Sequence, residues 1–128
     1  MPKFQGVDYL DLDGLLSADE RLVRTTIREF VDDRVLPVIE KHNRAGTFPM
    51  DLVPAMAELG LFGSTLPAQY GGAEMNNVAY GLVMQELERG DSGIRSFASV
   101  QSALVMYPIF KYGSREQRDL WLPALAHG

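Results

Sequence analysis

The stretch of residues 80–112 constrains the fold of this chain most strongly, because it is largely apolar on both sides of one short polar segment. The polar residues between its two apolar halves are concentrated at positions 86–92. A helix that is apolar on nearly every side is normally a buried helix. The stretch therefore predicts two core helices that are joined at the polar segment.

The second of these helices carries a polar stripe. Small hydroxyl side chains and one guanidinium recur at spacings of three and four, which places them on one side of a helix. The stripe consists of Ser92, Arg95, Ser96, Ser99 and Ser102. The predicted apolar face consists of Ile94, Phe97, Ala98, Val100 and Leu104. Such a stripe on a buried element is either a close contact between helices or the wall of a polar pocket, and both interpretations are open at this point.

Capping signals locate the first and last helices. Residues 17–20 read Ser-Ala-Asp-Glu and residues 114–117 read Ser-Arg-Glu-Gln. Both are capping boxes, in which the serine caps the helix and the third residue after it reaches back. The first helix is predicted to continue with a kink at Pro37, because proline removes a backbone donor. The last helix is predicted to break at Pro123.

Three further helices are predicted between these two. A short helix covers residues 49–59 and a longer one covers residues 76–89. Asp91 or Ser92 is expected to cap the next helix, since both residue types favour the N-cap position. Pro108 lies inside that helix and is expected to bend or divide it.

The predicted fold class is all-α. No segment shows the sustained alternation that is typical of a strand. A chain of 128 residues suits one domain with a real hydrophobic core. Residues 1–16 are predicted to be an extended lead-in, and residues 17–128 are predicted to form a bundle-like domain of five to six helices.

Composition argues against several classes of function. The net charge is −5 and there is no basic patch, so nucleic acid is not an expected partner. Cysteine is absent, which removes disulfides and thiolate metal sites, and His42 and His127 are too far apart to suggest a metal site. The N-terminal residues do not predict a signal peptide, and no apolar run approaches membrane-spanning length. The expected location is a reduced, intracellular compartment.

A catalytic set is not evident in these residues. Gly71 and Gly72 are not followed by the lysine and hydroxyl residue of a phosphate-binding loop. Glu86 and Glu88 are two residues apart on a helix, so they diverge and do not form an acid–base pair. Glu86 is predicted to lie at a solvated helix end.

Arg95 has two interpretations. Asp91 lies four residues earlier, at the spacing of a helical ion pair, and Glu88 could reach Arg95 across the polar segment. Alternatively, Arg95 and Ser96 could hold a carboxylate ligand, because a guanidinium is costly to desolvate and its fork matches a carboxylate. The residues alone favour the ion pair.

Several segments of the chain resemble the acyl-CoA dehydrogenase family, and most of all its glutaryl-CoA dehydrogenase branch. These segments are Glu-Leu-Glu-Arg at 86–89, Asp-Ser-Gly-Ile-Arg-Ser at 91–96, Gln-Tyr-Gly-Gly at 69–72 and Tyr-Gly-Ser-Arg-Glu-Gln-Arg at 112–118. The resemblance extends from about Ser17 to the last residue. It implies that residues 17–128 are the N-terminal helical domain of such an enzyme.

The resemblance changes the interpretation of Arg95. In the glutaryl branch, the arginine and serine at the positions of Arg95 and Ser96 bind the distal carboxylate of the acyl chain. The glutamate at the position of Glu88 belongs to the same polar network. The resemblance therefore favours a substrate pocket, with Asp91 and Glu88 as the partners that orient Arg95.

The resemblance also implies a larger enzyme. Members of the family add a middle β domain and a C-terminal helical domain, and most FAD contacts and the catalytic glutamate lie in those two. The complete enzyme would oxidise an acyl-CoA between its α- and β-carbons, and glutaryl-CoA could also lose CO2 to give crotonyl-CoA. No catalytic or cofactor-binding residue is therefore expected within this chain.

Partners and location follow from the same resemblance. The expected partners are an acyl-CoA substrate, the remaining domains, further copies in a homotetramer and an electron-accepting flavoprotein. The expected location is the cytoplasm, or the mitochondrial matrix in a eukaryote. The alternatives are a dehydrogenase for another acyl chain and a free-standing helical module that binds a partner protein.

Overall fold

Helices account for most of the structure, a computed structural model that describes residues 7–128. The α-helices are α1 (Ala18–Phe30), α2 (Leu36–Ala45), α3 (Val53–Glu58), α4 (Asn77–Gly90), α5 (Ser92–Ser99), α6 (Tyr107–Tyr112) and α7 (Arg115–Ala126). Short 3₁₀ turns cover Leu12–Leu15, Met50–Leu52 and Ala68–Tyr70, and π-helical segments cover Val31–Val35 and Val100–Met106. No strand occurs in residues 7–128, and the all-α prediction is confirmed. None of the helices described is long and apolar enough to cross a membrane.

The two prolines that were expected to bend a helix each follow a π-helical segment. The N–H of Leu36 donates to the carbonyl of Val31, five residues back, and the N–H of Tyr107 likewise reaches back five residues. Proline lacks an N–H, and its ring collides with the carbonyl four residues earlier, so a wider preceding turn relieves the conflict. Pro37 and Pro108 are thus accommodated within two continuous rods, α1–α2 and α5–α6.

The π-helical segments also decide which side chains of these rods reach the core. The buried series, with members four residues apart, are Ile27, Val31, Val35 and Ile39 in the first rod and Ile94, Ala98, Ser102 and Met106 in the second. Four residues of an α-helix advance about 40° beyond a full turn, so a regular helix would carry such a series off its face. The wider π turn cancels this drift. The predicted apolar face of the second rod was therefore wrong in its second half, where Val100 and Leu104 are exposed.

Helix α4 packs alongside α1, and the two helices run in the same direction. The Asn76 amide donates to the Glu20 carboxylate at 2.9 Å where both helices start, and Arg28 pairs with Glu86 further along. The buried residues of α4 are Ala79, Val83, Glu86 and Leu87. The helix is therefore buried along one face only, not on nearly every side as its composition predicted.

The helix starts that were predicted from capping residues are confirmed, whereas the short helix predicted from Pro49 begins as a 3₁₀ turn at Met50 and becomes α3 only at Val53. Ser17 and Ser114 each complete a capping box with the third residue after them. Asp91 is the N-cap of α5, and its carboxylate accepts from the N–H of Ile94 at 2.9 Å. These caps satisfy backbone donors that the first turn of a helix would otherwise leave unpaired.

Helix α7 does not break where it was predicted to break. It continues through Pro123 to Ala126. Leu122 and Ala126 flank the proline in the core, with exposures of 0% and 7%. Burial of these side chains outweighs the cost of one proline close to the helix end.

The described part of the lead-in is folded against α1 and is not extended. The Asp8 carboxylate accepts from the N–H groups of Leu12 and Asp13, which closes the turn Leu12–Leu15. The Asp13 carboxylate pairs with Arg24 on α1. Residues 1–6 belong to the same predicted lead-in and lie outside the described residues.

Candidate functional site

The guanidinium of Arg95 is held at the junction of α4 and α5, where the chain turns back on itself. Arg95 Nε donates to Glu88 Oε2 at 2.6 Å, and one terminal nitrogen donates to Ser99 Oγ at 3.3 Å. The Ser92 hydroxyl donates to the other oxygen of Glu88 at 2.5 Å. The structure thus joins Arg95 and Glu88, two of the three predicted site residues, in one network.

Ser96, the third predicted site residue, lies beside this network. Its backbone carbonyl accepts from the Ser99 hydroxyl at 3.1 Å, and its side chain is half-buried. Within residues 7–128 the Ser96 hydroxyl makes no hydrogen bond of its own. The Ser96 hydroxyl is therefore not committed to a partner among these residues.

The Arg95–Glu88 pair is an ionised site that solvent can reach. The side chains of Arg95 and Glu88 are 35% and 46% exposed. Hydrogen bonds, first from Arg95 and then from Ser92, hold the pKa of Glu88 below its ordinary value, so Glu88 is a carboxylate at neutral pH. Glu88 and Ser99 use only two of the five N–H donors of arginine. The others can bind a planar anionic group such as a carboxylate.

Asp91 does not pair with Arg95, contrary to both interpretations from the sequence. Its backbone is extended, with φ −167° and ψ 132°, so the helical spacing rule does not apply to it. The carboxylate instead caps α5 and accepts from the Asn43 amide of α2 at 3.3 Å. Arg95 is therefore oriented by Glu88 and Ser99, and Asp91 fixes the start of the helix that carries it.

Ser102 leaves the polar stripe and binds a loop in the core. Its hydroxyl donates to the Leu61 carbonyl at 2.9 Å and accepts from the N–H of Gly63 at 3.0 Å. The hydroxyl thereby satisfies two backbone groups of a buried turn. The π-helical segment rotates Ser102 towards the core, which the spacing of the stripe did not reveal.

Glu86 was predicted to be solvated and is instead 1% exposed. Arg28 Nε and a terminal nitrogen of Arg28 donate to its two oxygens at 3.0 and 2.6 Å, and Arg89 Nε donates at 2.9 Å. Arg89 also donates to Asp32 at 2.7 Å. Burial alone would raise the pKa of Glu86, but the bonds from the two arginines outweigh it and hold the pKa below its ordinary value.

The glycine-rich turn at residues 69–72 is filled by the chain itself. Gly71 adopts φ 82°, and a Cβ on Gly72 would lie 2.0 Å from the Leu66 carbonyl oxygen. The glycines are therefore needed for a close approach of two backbone segments. No cluster of metal-ligating side chains is present in residues 7–128.

Comparisons with known proteins give consistent results. A family model for the acyl-CoA dehydrogenase N-terminal domain matches residues 17–128. The mitochondrial short-chain specific acyl-CoA dehydrogenase of Bos taurus is 30% identical over 113 residues, which cover 88% of this chain and 27% of that protein. The (2S)-methylsuccinyl-CoA dehydrogenase of Cereibacter sphaeroides is 36% identical over 118 residues, which cover 90% of this chain and 21% of that protein.

Solved structures give a similar result. The glutaryl-CoA dehydrogenase from Mycobacterium smegmatis in complex with FADH2 matches with a TM-score of 0.88 at 48% sequence identity. The match covers 91% of this chain and 30% of that one. The chain spans less than a third of the length of each of these three relatives.

Proposed function

This chain belongs to the acyl-CoA dehydrogenase family, and from that premise we propose that it supplies the N-terminal domain of an FAD-dependent enzyme that oxidises glutaryl-CoA. The observation that carries the proposal is the preorganised Arg95–Glu88 pair at the α4–α5 junction. A glutaryl group differs from a simple acyl group by a second carboxylate at its far end. Arg95 provides a cation with unused donors for that carboxylate.

The pair acts by positioning the substrate. The donors of Arg95 and the hydroxyl of Ser96 bind the far carboxylate through charge-assisted hydrogen bonds, which fix its orientation as well as its place. Glu88 and Ser99 hold the guanidinium before the ligand arrives, so little side-chain freedom is lost on binding. With its far end fixed, the acyl chain presents its Cα–Cβ bond in one geometry, which lowers the reaction barrier.

The same pair disfavours an uncharged acyl chain. A methyl group placed against Arg95 would displace water from donors that it cannot satisfy, and unsatisfied donors are costly. Two of the relatives support this assignment by name, because glutaryl and methylsuccinyl groups are both acyl groups of dicarboxylic acids. The name of the short-chain specific relative does not refer to a dicarboxylic acyl group.

The remaining parts of the reaction belong to the portion of the relatives that this chain does not span. FAD, held by the other domains, would accept the hydride from the substrate. Loss of CO2, a tetrameric assembly, transfer of electrons to a flavoprotein and a cytoplasmic or mitochondrial-matrix location are parts of the same proposal.

The test is Arg95→Leu in the complete enzyme that contains this domain. We expect kcat/KM for glutaryl-CoA to fall by about ten- to a hundredfold, as for a lost hydrogen bond to a charged group. The kcat/KM for pentanoyl-CoA, which has the same number of acyl carbons and no second carboxylate, should change little. Arg115→Leu is the matched control, because the Arg115 side chain is 88% exposed at the start of α7.

The ratio of the two kcat/KM values decides the outcome. An equal loss on both substrates would assign Arg95 a structural role and would contradict the proposal. A wild-type enzyme that prefers pentanoyl-CoA would indicate a dehydrogenase for an uncharged acyl chain. Arg95→Lys keeps the charge and loses the fork, so its ratio should lie between those of the wild type and Arg95→Leu.

A further inference from the structure

Tyr80 lies about two turns before Glu88 on α4, and we propose that its phenol hydroxyl donates a hydrogen bond to the acyl carboxylate bound by Arg95. This inference rests on the proposed function and adds a residue to the site on the side of α4. Tyr80 would thus contribute to the preference for dicarboxylic acyl groups.

The helix geometry places Tyr80 along the site. Tyr80, Met84 and Glu88 are spaced by four residues, so they form a row along α4 that drifts by about 40° per step and lies nearer to the buried face at Tyr80. The contact between Glu88 and Arg95 shows that the Glu88 end of this row is turned towards α5. Arg95 also reaches Ser99, which is one turn further from the junction along α5. Because α5 folds back along α4, this places the guanidinium nearer to the level of Tyr80.

The Tyr80 hydroxyl has no other use within the described residues. Its side chain is half-buried, and no residue in 7–128 forms a hydrogen bond with its hydroxyl. Burial raises the pKa of Tyr80, and the positive charge of Arg95 partly offsets that rise. The phenol is therefore a neutral donor at physiological pH, and the charge of Arg95 acts on it.

A bound carboxylate has room for such a donor. Its two oxygens offer about four acceptor positions, more than the guanidinium edge and Ser96 would fill. An O–H donor to a carboxylate forms a short and comparatively strong hydrogen bond. A substrate that ends in a methyl group offers no acceptor, so the Tyr80 hydroxyl would discriminate between the two kinds of acyl chain.

The experiment is Tyr80→Phe in the complete enzyme, measured as the ratio of kcat/KM for glutaryl-CoA to kcat/KM for pentanoyl-CoA. We expect the ratio to fall by about tenfold, the effect of one lost hydrogen bond to a charged group. If part of a preparation is misfolded, kcat/KM falls by the same factor for glutaryl-CoA and for pentanoyl-CoA. The ratio of the two is therefore unaffected. Tyr112→Phe is the matched control, because Tyr112 is 83% exposed at the far end of the α5–α6 rod, and its ratio should not change.

Arg95→Leu separates this inference from the function on which it rests. If Arg95→Leu lowers the ratio and Tyr80→Phe does not, the inference is overturned and the proposed function stands. If Arg95→Leu leaves the ratio unchanged, both are overturned. In the Arg95→Leu background, Tyr80→Phe should have a smaller effect than in the wild type, since both residues act on one carboxylate. Fully additive effects would contradict a shared ligand.

Discussion

Replacing Glu86 with glutamine keeps the size of a side chain that is 1% exposed and removes its charge. Three hydrogen bonds connect the Glu86 carboxylate with Arg28 and Arg89. A glutamine offers one acceptor oxygen, and its NH2 group would face an arginine donor. At least one of the three bonds is therefore lost, and those that remain are no longer between opposite charges.

The size of the effect follows from the exposure of the partners. Removing one member of a buried ion pair costs about 3–5 kcal/mol of the free energy of unfolding. Arg28 and Arg89 are 32% and 24% exposed, so water can partly replace the lost acceptor. We therefore expect Glu86→Gln to lower the free energy of unfolding by about 2–3 kcal/mol.

Urea unfolding followed by far-UV circular dichroism measures this difference. Glu40→Gln is the matched control, because Glu40 and its partner Arg44 are 74% and 80% exposed on α2, and exposed pairs contribute little. If Glu86→Gln and Glu40→Gln unfold at the same urea concentration, the buried network does not stabilise the fold and the reasoning fails.

The pH dependence of the same pair of proteins gives a second readout. The pKa of Glu86 in the folded chain lies below the ordinary value of 4.5. As the pH falls, Glu86 is therefore protonated first in the unfolded chain. The stability that Glu86 contributes is present above pH 4.5 and is lost as the pH falls through the pKa of the folded state. The advantage of the wild type over Glu86→Gln should shrink below that pH. A constant difference at neutral and acidic pH would contradict this.

Three further substitutions test the backbone and the core. Gly63→Ala should destabilise the fold by at least about 1 kcal/mol, because Gly63 has φ 68° and a Cβ there would lie 2.6 Å from Met106 Cε. Gly81→Ala should stabilise it by about 0.5–1 kcal/mol, since Gly81 lies in α4 with nothing within 4 Å of a Cβ. Urea midpoints that move in the same direction would refute this contrast. Ser102→Ala should cost about 1–3 kcal/mol, because the buried N–H of Gly63 loses its acceptor and the carbonyl of Leu61 keeps only the hydroxyl of Ser64; an unchanged midpoint would show that water replaces the hydroxyl.

The helix positions and their caps could be predicted from the sequence because their signals are local. A capping box joins residues three apart, as at Ser17 and Ser114, and Asp91 caps through the N–H of Ile94. The contact between Glu88 and Arg95 spans only seven residues across a short turn, so it too was within reach of the sequence. The assignment of Arg95 to a ligand came from the family resemblance, since spacing alone favoured an ion pair with Asp91.

Other features depend on partners that are distant in the chain, and only the tertiary structure decided them. Glu86 is buried because Arg28, which is 58 residues away, is brought beside it by the packing of α4 on α1. Ser102 turns inward because a π-helical segment realigns the rod with a loop that lies 41 residues earlier. Helix α7 passes through Pro123 because the core holds the residues on both sides of it. A local sequence pattern predicts helices and caps, whereas burial of a side chain depends on surfaces that meet only when the chain is folded.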